Sequence, residues 1–216
     1  YVRALSYAGI STLLALIIAY PLAYYIALRS GRWRSLLLVL VIAPSFASFL
    51  LRTYAWRTIL ADEGPVTSFF NALGVLPDDR ILSTGLAVVA GLTYNFLPFM
   101  ILPLYASLDR VDPRLIEAAG DLYASGPKTF WKVTWPLSMP GVIAGTLLTF
   151  IPASGDFINA QLLGSPQTQM IGNAIQANFY KLRDYPMASS LSFILMATIL
   201  ILVVAYIKRS GTEEIV

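Results

Sequence analysis

The chain has 216 residues, 57% of them hydrophobic and only 12% charged, with a formal net charge of +3 and a mean hydropathy of +0.68. A soluble domain carries about 25% charged residues, so this composition lacks the polar cover that a water-facing globule needs. It contains no cysteine and no histidine, which excludes disulfides, Cys/His metal sites and histidine acid/base chemistry.

Five apolar blocks follow one another: Leu5–Leu28, Leu36–Leu51, Leu86–Leu108, Pro140–Leu163 and Met187–Ile207. A helix needs roughly 20 apolar residues to cross a bilayer. None of the blocks alternates polar and apolar residues as a half-buried strand does, and a helix satisfies its own backbone in lipid. The expected fold is therefore all-α: a polytopic membrane bundle with five visible spans. The chain begins at Tyr1 with no basic stretch ahead of the first block, as expected of a piece of a longer chain rather than of an intact start with a signal peptide.

Loop charge orients the bundle. Arg29, Arg32, Arg34, Arg110, Arg114, Lys128, Lys132, Lys208 and Arg209 fall on one side. Arg3, Arg52, Arg57, Arg80, Lys181 and Arg183 are spread over longer segments on the other. By the positive-inside rule the first set is cytoplasmic, which puts the start of the chain outside and its end inside. Pro21, Pro44, Pro98, Pro103 and Pro152 interrupt the blocks, either as ordinary membrane-helix prolines or as kinks in a pore-lining helix. The second reading is favoured for Pro98 and Pro103, which share one block. Arg52–Leu60 mixes aromatics with arginines and suits a bilayer interface. Met170–Phe179 reads as a short surface helix on the outer side.

The third loop, Asp109–Met139, carries the most information. Asp112-Pro113 is a helix-start signature, with Asp as N-cap and Pro at the first helical position. Leu115, Ala118, Ala119 and Leu122 recur at helical spacing as a small apolar face. Ser125-Gly126-Pro127 breaks this helix, and Lys128–Trp135 is expected to start a further turn or two that Pro136 and Pro140 end. Two short helices across a bend, exposed to cytosol, suit insertion into a partner's groove.

This loop resembles the Glu-Ala-Ala signature of binding-protein-dependent ABC importer permeases. Glu117-Ala118-Ala119 matches its start, Ala124-Ser125 its centre, and Val133, Trp135-Pro136 and Pro140-Gly141 its end. Tyr123 stands where the family has glycine, and Trp135 where it has leucine before proline. A tyrosine is not expected to take the left-handed backbone that glycine supplies, so the bend is expected to move to Gly126. The segments LLRTYAWRTIL, LPFMILPLYASLDRVD and MIGNAIQANFYKLRDYPMASS extend the resemblance over nearly the whole chain. They are similar to the spermidine/putrescine branch.

The resemblance implies a single type I transmembrane domain over residues 1–216, with 109–139 as its cytoplasmic coupling loop in the cell inner membrane. Members have six spans with both ends cytoplasmic, so one further span is expected ahead of the five. It implies a second homologous permease subunit, a dimer of ATPase subunits and an extracytoplasmic solute-binding protein as partners. The coupling residues would be Glu117, Ala118, Ala119, Asp121, Tyr123, Ala124, Ser125, Gly126 and Pro136. Glu117 would meet a basic residue of the ATPase, or else stabilise its own helix near the N-terminal end of the dipole.

No phosphate-cradling glycine loop or Walker-type lysine is present. ATP and Mg are therefore expected on the partner ATPase, and this chain is expected to hold no cofactor or metal, to bind no nucleic acid and to be a transport component rather than an enzyme. Polyamines are polycations, so their path should offer carboxylates and aromatic faces. Asp156 is the one acid inside a block, about 24 Å along its span at 1.5 Å per residue. An acid so placed reads as functional by default, the alternative being an interfacial acid, hydrated or paired with Arg183. Tyr94, Asn95 and Tyr105 either line the path or pack helix against helix. Asp62, Glu63, Asp78 and Asp79 give the outer surface acidity that would suit a binding protein. Two alternatives stay open: the same permease fold with another small solute, and a self-contained secondary transporter. The latter should show ion-coupling acids and an internal repeat.

Overall fold

The computed structural model describes residues 1–74 and 80–209, and all regular elements among them are helical. In chain order they are α1 (Val2–Leu28), α2 (Arg34–Ile42), α3 (Phe49–Ile59), α4 (Pro65–Ala72), α5 (Gly85–Leu108), α6 (Pro113–Asp121), α7 (Gly126–Thr129), α8 (Trp135–Gly155), α9 (Ile158–Leu163), α10 (Ile171–Gln176) and α11 (Tyr185–Arg209). Among the described residues, four helical stretches are long and apolar enough to cross a membrane: Val2–Leu28, Gly85–Leu108, Gly126–Gly155 and Tyr185–Arg209. A broken pair, Gly31–Phe46 with Phe49–Ile59, makes a fifth candidate. The all-α polytopic bundle stands as expected.

Three boundaries differ from the sequence reading, each for a local reason. The second block is not one rod. Pro44 lies in a 3-10 turn, Ala43–Phe46, and Ser48 is extended (φ −54°, ψ 135°) ahead of α3. A proline supplies no N–H to continue an α-helical ladder. Pro136 and Pro140 do not end the helix begun at Gly126, which continues to Gly155. A π-turn at Phe130–Thr134 lies just ahead of them, and such a widened turn re-registers the ladder where a proline cannot donate. At its far end the fourth span stops at Gly155 instead of reaching Leu163. Asp156 there turns its carboxylate to the next short helix, Oδ1 accepting the Asn159 N–H at 2.8 Å.

The chain packs as two compact units. One comprises Tyr1–Leu13, Ala47–Phe96 and the chain from Phe150 on; the other comprises Leu14–Phe46 and Leu97–Thr149. The first unit has a core of Ala4, Ala8, Val88, Leu92, Phe96, Ala153 and Leu195, among others. The second is built on Ala15, Ala19 and Ala23, which fall on one face of α1 and pack with Met100, Ile101, Leu104 and Leu108 of α5 and Val142 of α8. Small residues at such intervals let helix backbones approach closely in lipid, where van der Waals packing holds helices together. Of α11, only Ala188 and Leu195 are buried, so most of its apolar surface remains open.

Candidate functional site

The loop between α5 and α8 begins with a well-formed helix start. Asp112 Oδ1 accepts the Arg114 N–H at 2.9 Å, and Pro113 occupies the first turn. This satisfies one of the donors a helix N-terminus leaves open, at a position where proline has none to lose. The other end closes as a Schellman turn. The Ala124 N–H donates to the Ala119 carbonyl at 3.0 Å, and the Tyr123 N–H to the Gly120 carbonyl at 2.9 Å. That pattern needs a left-handed residue just past the helix, and here it is Tyr123, with φ +58°. The expectation that a tyrosine would refuse this backbone, and pass the bend to Gly126, is therefore corrected. Gly126 is the first residue of α7, and Ser125 ahead of it is extended (ψ 155°). The left-handed conformation costs a residue bearing Cβ roughly 1–2 kcal/mol relative to glycine, and the two backbone hydrogen bonds, which glycine would make as well, hold the turn in it.

No residue of α6 is buried. Its apolar positions Leu115, Ala118 and Leu122 are exposed, as are Glu117 and Asp121, while Ala119 is half-buried. Leu122 is 81% exposed and Tyr123 98%. A helix with apolar and charged faces ordinarily lays the apolar one on a core. Among the described residues α6 meets α7 and the π-turn of the same loop, where Ile116 and Ala119 are half-buried, while Leu115, Ala118 and Leu122 are left open.

The segments flanking α6 are, by contrast, held firmly. Arg34, at the start of α2, pairs with Asp109 and hydrogen-bonds the Tyr105 hydroxyl. Its guanidinium lies 5.0 Å from the centre of the Tyr105 ring. On the other side, Phe130 and Trp135 pack against Tyr20 with ring centres 5.5 and 5.2 Å away. The Tyr20 hydroxyl and Ser138 Oγ lie 2.7 Å apart, both buried. On α8, Gly141 and Gly145 face α5. A Cβ on Gly141 would come within 2.7 Å of the Pro103 carbonyl oxygen, and one on Gly145 within 2.8 Å of the Met100 sulfur. The loop helix is thus presented outward from a rigid base.

The other unit gathers most of the residues expected along a transport path. Tyr94 of α5 meets the Trp56 ring at 5.3 Å. Asn95 is buried and donates through Nδ2 to Asn159 Oδ1 at 3.1 Å and to Thr53 Oγ1 at 3.3 Å. Asn159 in turn links to Asp156 through its backbone N–H. Asn95 and Asp156 are therefore joined through a residue the sequence reading passed over. The amide oxygen of Asn95 is buried with no hydrogen-bond partner among the described residues. Asp156 is 9% exposed, and Arg183 does not pair with it among the described residues. Tyr105 lies in the other unit, with Arg34. Asp62 pairs with Arg80 at 3.1 Å and Glu63 is exposed. Asp78 and Asp79 lie outside the described residues. The missed residues had a signal: Thr53 and Asn159 are polar positions in or beside apolar blocks, and Gly145 follows Gly141 at the spacing of close helix contact.

These features define a class: a membrane bundle that presents, from a fixed base, a capped amphipathic loop helix none of whose residues is buried. Residues 11–210 match the family model described as binding-protein-dependent transport system inner membrane component, and the chain belongs to that family. It is a transport subunit of the inner membrane rather than an enzyme. It is 40% identical over 209 residues to the spermidine/putrescine transport system permease protein PotB of Haemophilus influenzae, covering 96% of this chain and 73% of that one. To the protein of the same name from Escherichia coli K12 it is 39% identical, covering 96% of this chain and 76% of that one. Among solved structures, a bacterial alginate ABC transporter in complex with alginate pentasaccharide-bound periplasmic protein has a chain that superposes with a TM-score of 0.75 at 18% identity, covering 97% of this chain and 76% of that one. At that identity the likeness is one of fold.

Proposed function

We propose that this chain is the membrane-spanning permease subunit of an ATP-driven, binding-protein-dependent importer of polyamines such as spermidine and putrescine. Residues 109–139 are its cytoplasmic coupling loop within a single transmembrane domain over residues 1–216. The observation that carries this is the bare α6: an N-capped, Schellman-closed helix with Glu117-Ala118-Ala119 on it, none of whose residues is buried. Its base is fixed by Arg34–Asp109 and by the Tyr20–Phe130–Trp135 cluster. Such a helix transmits force only through a partner that covers it, and the partner is an ATPase subunit whose closure on ATP moves α5 and α8 together with the loop. Glu117, Asp121, Ala124, Ser125, Gly126 and Pro136 complete that contact. The further partners are a second homologous permease subunit and an extracytoplasmic solute-binding protein. The described N-terminus lies outside and the C-terminus in the cytoplasm.

The polyamine assignment is supported by the identity to spermidine/putrescine permeases and by the acceptors near Asp156. A polycation gives up hydration on entering the membrane and needs carboxylate or amide oxygens in exchange. Asp156 and the unpaired amide oxygen of Asn95 offer them, and Tyr94 adds an aromatic face. The test is Glu117→Lys in the assembled transporter. Loss of ATPase co-purification or of ATP-dependent spermidine uptake, at wild-type amounts of permease in the membrane, is the expected result. Intact assembly and intact uptake would remove the coupling role.

A further inference from the structure

We infer that Tyr123 is the anchor by which this permease holds its ATPase subunit: the phenol ring fills an apolar pocket on that partner's surface. The inference rests on the reading of residues 109–139 as the ATPase-facing loop and adds to it a residue and a kind of contact. Three observations carry it. The first is conformational. Tyr123 occupies the left-handed position of a complete Schellman turn, where glycine is free of cost and tyrosine is not. A residue that breaks a local rule is retained when it gains elsewhere.

The second observation is that the gain is not inside this chain. Tyr123 is 98% exposed, and among the described residues its ring meets no other ring and its hydroxyl makes no hydrogen bond. The third is presentation. The turn's two backbone hydrogen bonds fix the direction in which the side chain leaves the loop, and Leu122 beside it is 81% exposed. Two adjacent large apolar side chains on a rigid turn form a preorganised contact. Tyrosine is among the residues that dominate interface energetics because it buries much area with few rotatable bonds. The occupant is a protein surface and not the bilayer interior, because Arg114, Glu117 and Asp121, charges of both signs, are all exposed on the same short helix; a protein surface can pair them, whereas carrying them into lipid is costly.

The test uses the assembled permease pair in proteoliposomes with the cognate ATPase subunit added, measuring ATPase affinity for the vesicles. Tyr123→Gly and Tyr123→Asn both suit the left-handed backbone but lack the ring. Each should weaken ATPase binding by about tenfold or more, while the thermal midpoint of the Tyr123→Gly permease stays at or above wild type. Tyr123→Phe should bind within about threefold of wild type, the size of effect left when one exposed hydroxyl is lost. Wild-type affinity in Tyr123→Gly, or a loss in Tyr123→Phe as large as in Tyr123→Gly, overturns the inference. A photo-crosslinking residue at Leu115 separates the two levels. If it captures the ATPase while Tyr123→Gly binds normally, the anchor falls and the coupling loop stands. If it captures no ATPase, both fall. Brominated-lipid quenching of the Tyr123→Trp complex beyond that of the wild-type complex, which has four tryptophans of its own in this chain, would place the ring in the bilayer and also overturn the inference.

Discussion

Asp156 serves two ends that a pair of substitutions separates. Its Oδ1 accepts the N–H of Asn159 at the start of α9, which is a capping role that a neutral oxygen fills equally well. Its charge, buried and without a cationic partner among the described residues, is what a polyamine would seek. Asp156→Asn keeps an acceptor in the same place, whereas Asp156→Ala removes it and should cost about 1 kcal/mol of local stability. If the charge draws the substrate, the two variants should raise the KM for spermidine alike, by about tenfold for one lost charged hydrogen bond. Only Asp156→Ala should lower the unfolding temperature. Wild-type uptake kinetics in Asp156→Asn would leave Asp156 with the cap alone. The acid itself was legible as a lone carboxylate in an apolar block. Its connection to Asn95 was not, because Asn159 and Asn95 stand 64 positions apart and only the packing of α9 on α5 brings them together. Tyr123 was misread for a different reason: a backbone preference of roughly 1–2 kcal/mol is small beside a turn that two hydrogen bonds hold in place.

Among the elements, α8 shows how a rule about single residues yields to a rule about neighbours. Pro136 and Pro140 read as terminators, yet the helix passes through them because the π-turn at Phe130–Thr134 changes the register ahead of them. That turn is held by the Tyr20, Phe130 and Trp135 rings, long-range contacts invisible to a local reading. The glycines of the same helix are more predictable. Gly141 lies so close to α5 that an added Cβ meets the Pro103 carbonyl oxygen at 2.7 Å and the Leu104 Cα at 3.1 Å, both backbone atoms. At Gly145 the nearest atom is the Met100 sulfur at 2.8 Å, near the end of a flexible side chain, and the nearest backbone atom, the Met100 carbonyl oxygen, is 3.1 Å away. Gly141→Ala should therefore force α8 and α5 apart and destabilise the protein by about 1–3 kcal/mol. Gly145→Ala should cost distinctly less, as the thioether swings aside. Thermal unfolding of the two variants in detergent checks the order, and a Gly145→Ala at least as damaging as Gly141→Ala would show that the backbone contact at Pro103 is not the limiting one.

On the scale of the whole molecule, charge and packing divide the chain in nearly the same way. Arg29, Arg32, Arg34, Arg110, Arg114, Lys128 and Lys132, all assigned to the cytoplasm by loop charge, belong to the unit made of Leu14–Phe46 and Leu97–Thr149. Arg3, Arg52, Arg57, Arg80, Lys181 and Arg183, all assigned outside, belong to the other. Only the tail cations Lys208 and Arg209 depart from this, sharing a unit with the outer set. They close α11, which is long and apolar enough to cross a membrane. The division into packing units has no sign, and the orientation proposed above rests on the bias of loop lysines and arginines. Because the chain has no cysteine, the orientation is testable without background. Cysteines placed singly at the exposed positions Glu63 and Lys181 should react with a membrane-impermeant maleimide in cells whose outer barrier alone is opened. One placed at the exposed Lys128 should react only once the inner membrane is breached, and then less in the complex than in the isolated permease, since α7 follows directly on the loop the ATPase covers. Labelling of Lys128→Cys in intact inner membranes would reverse the topology and move α6 to the side where a solute-binding protein, not an ATPase, would meet it.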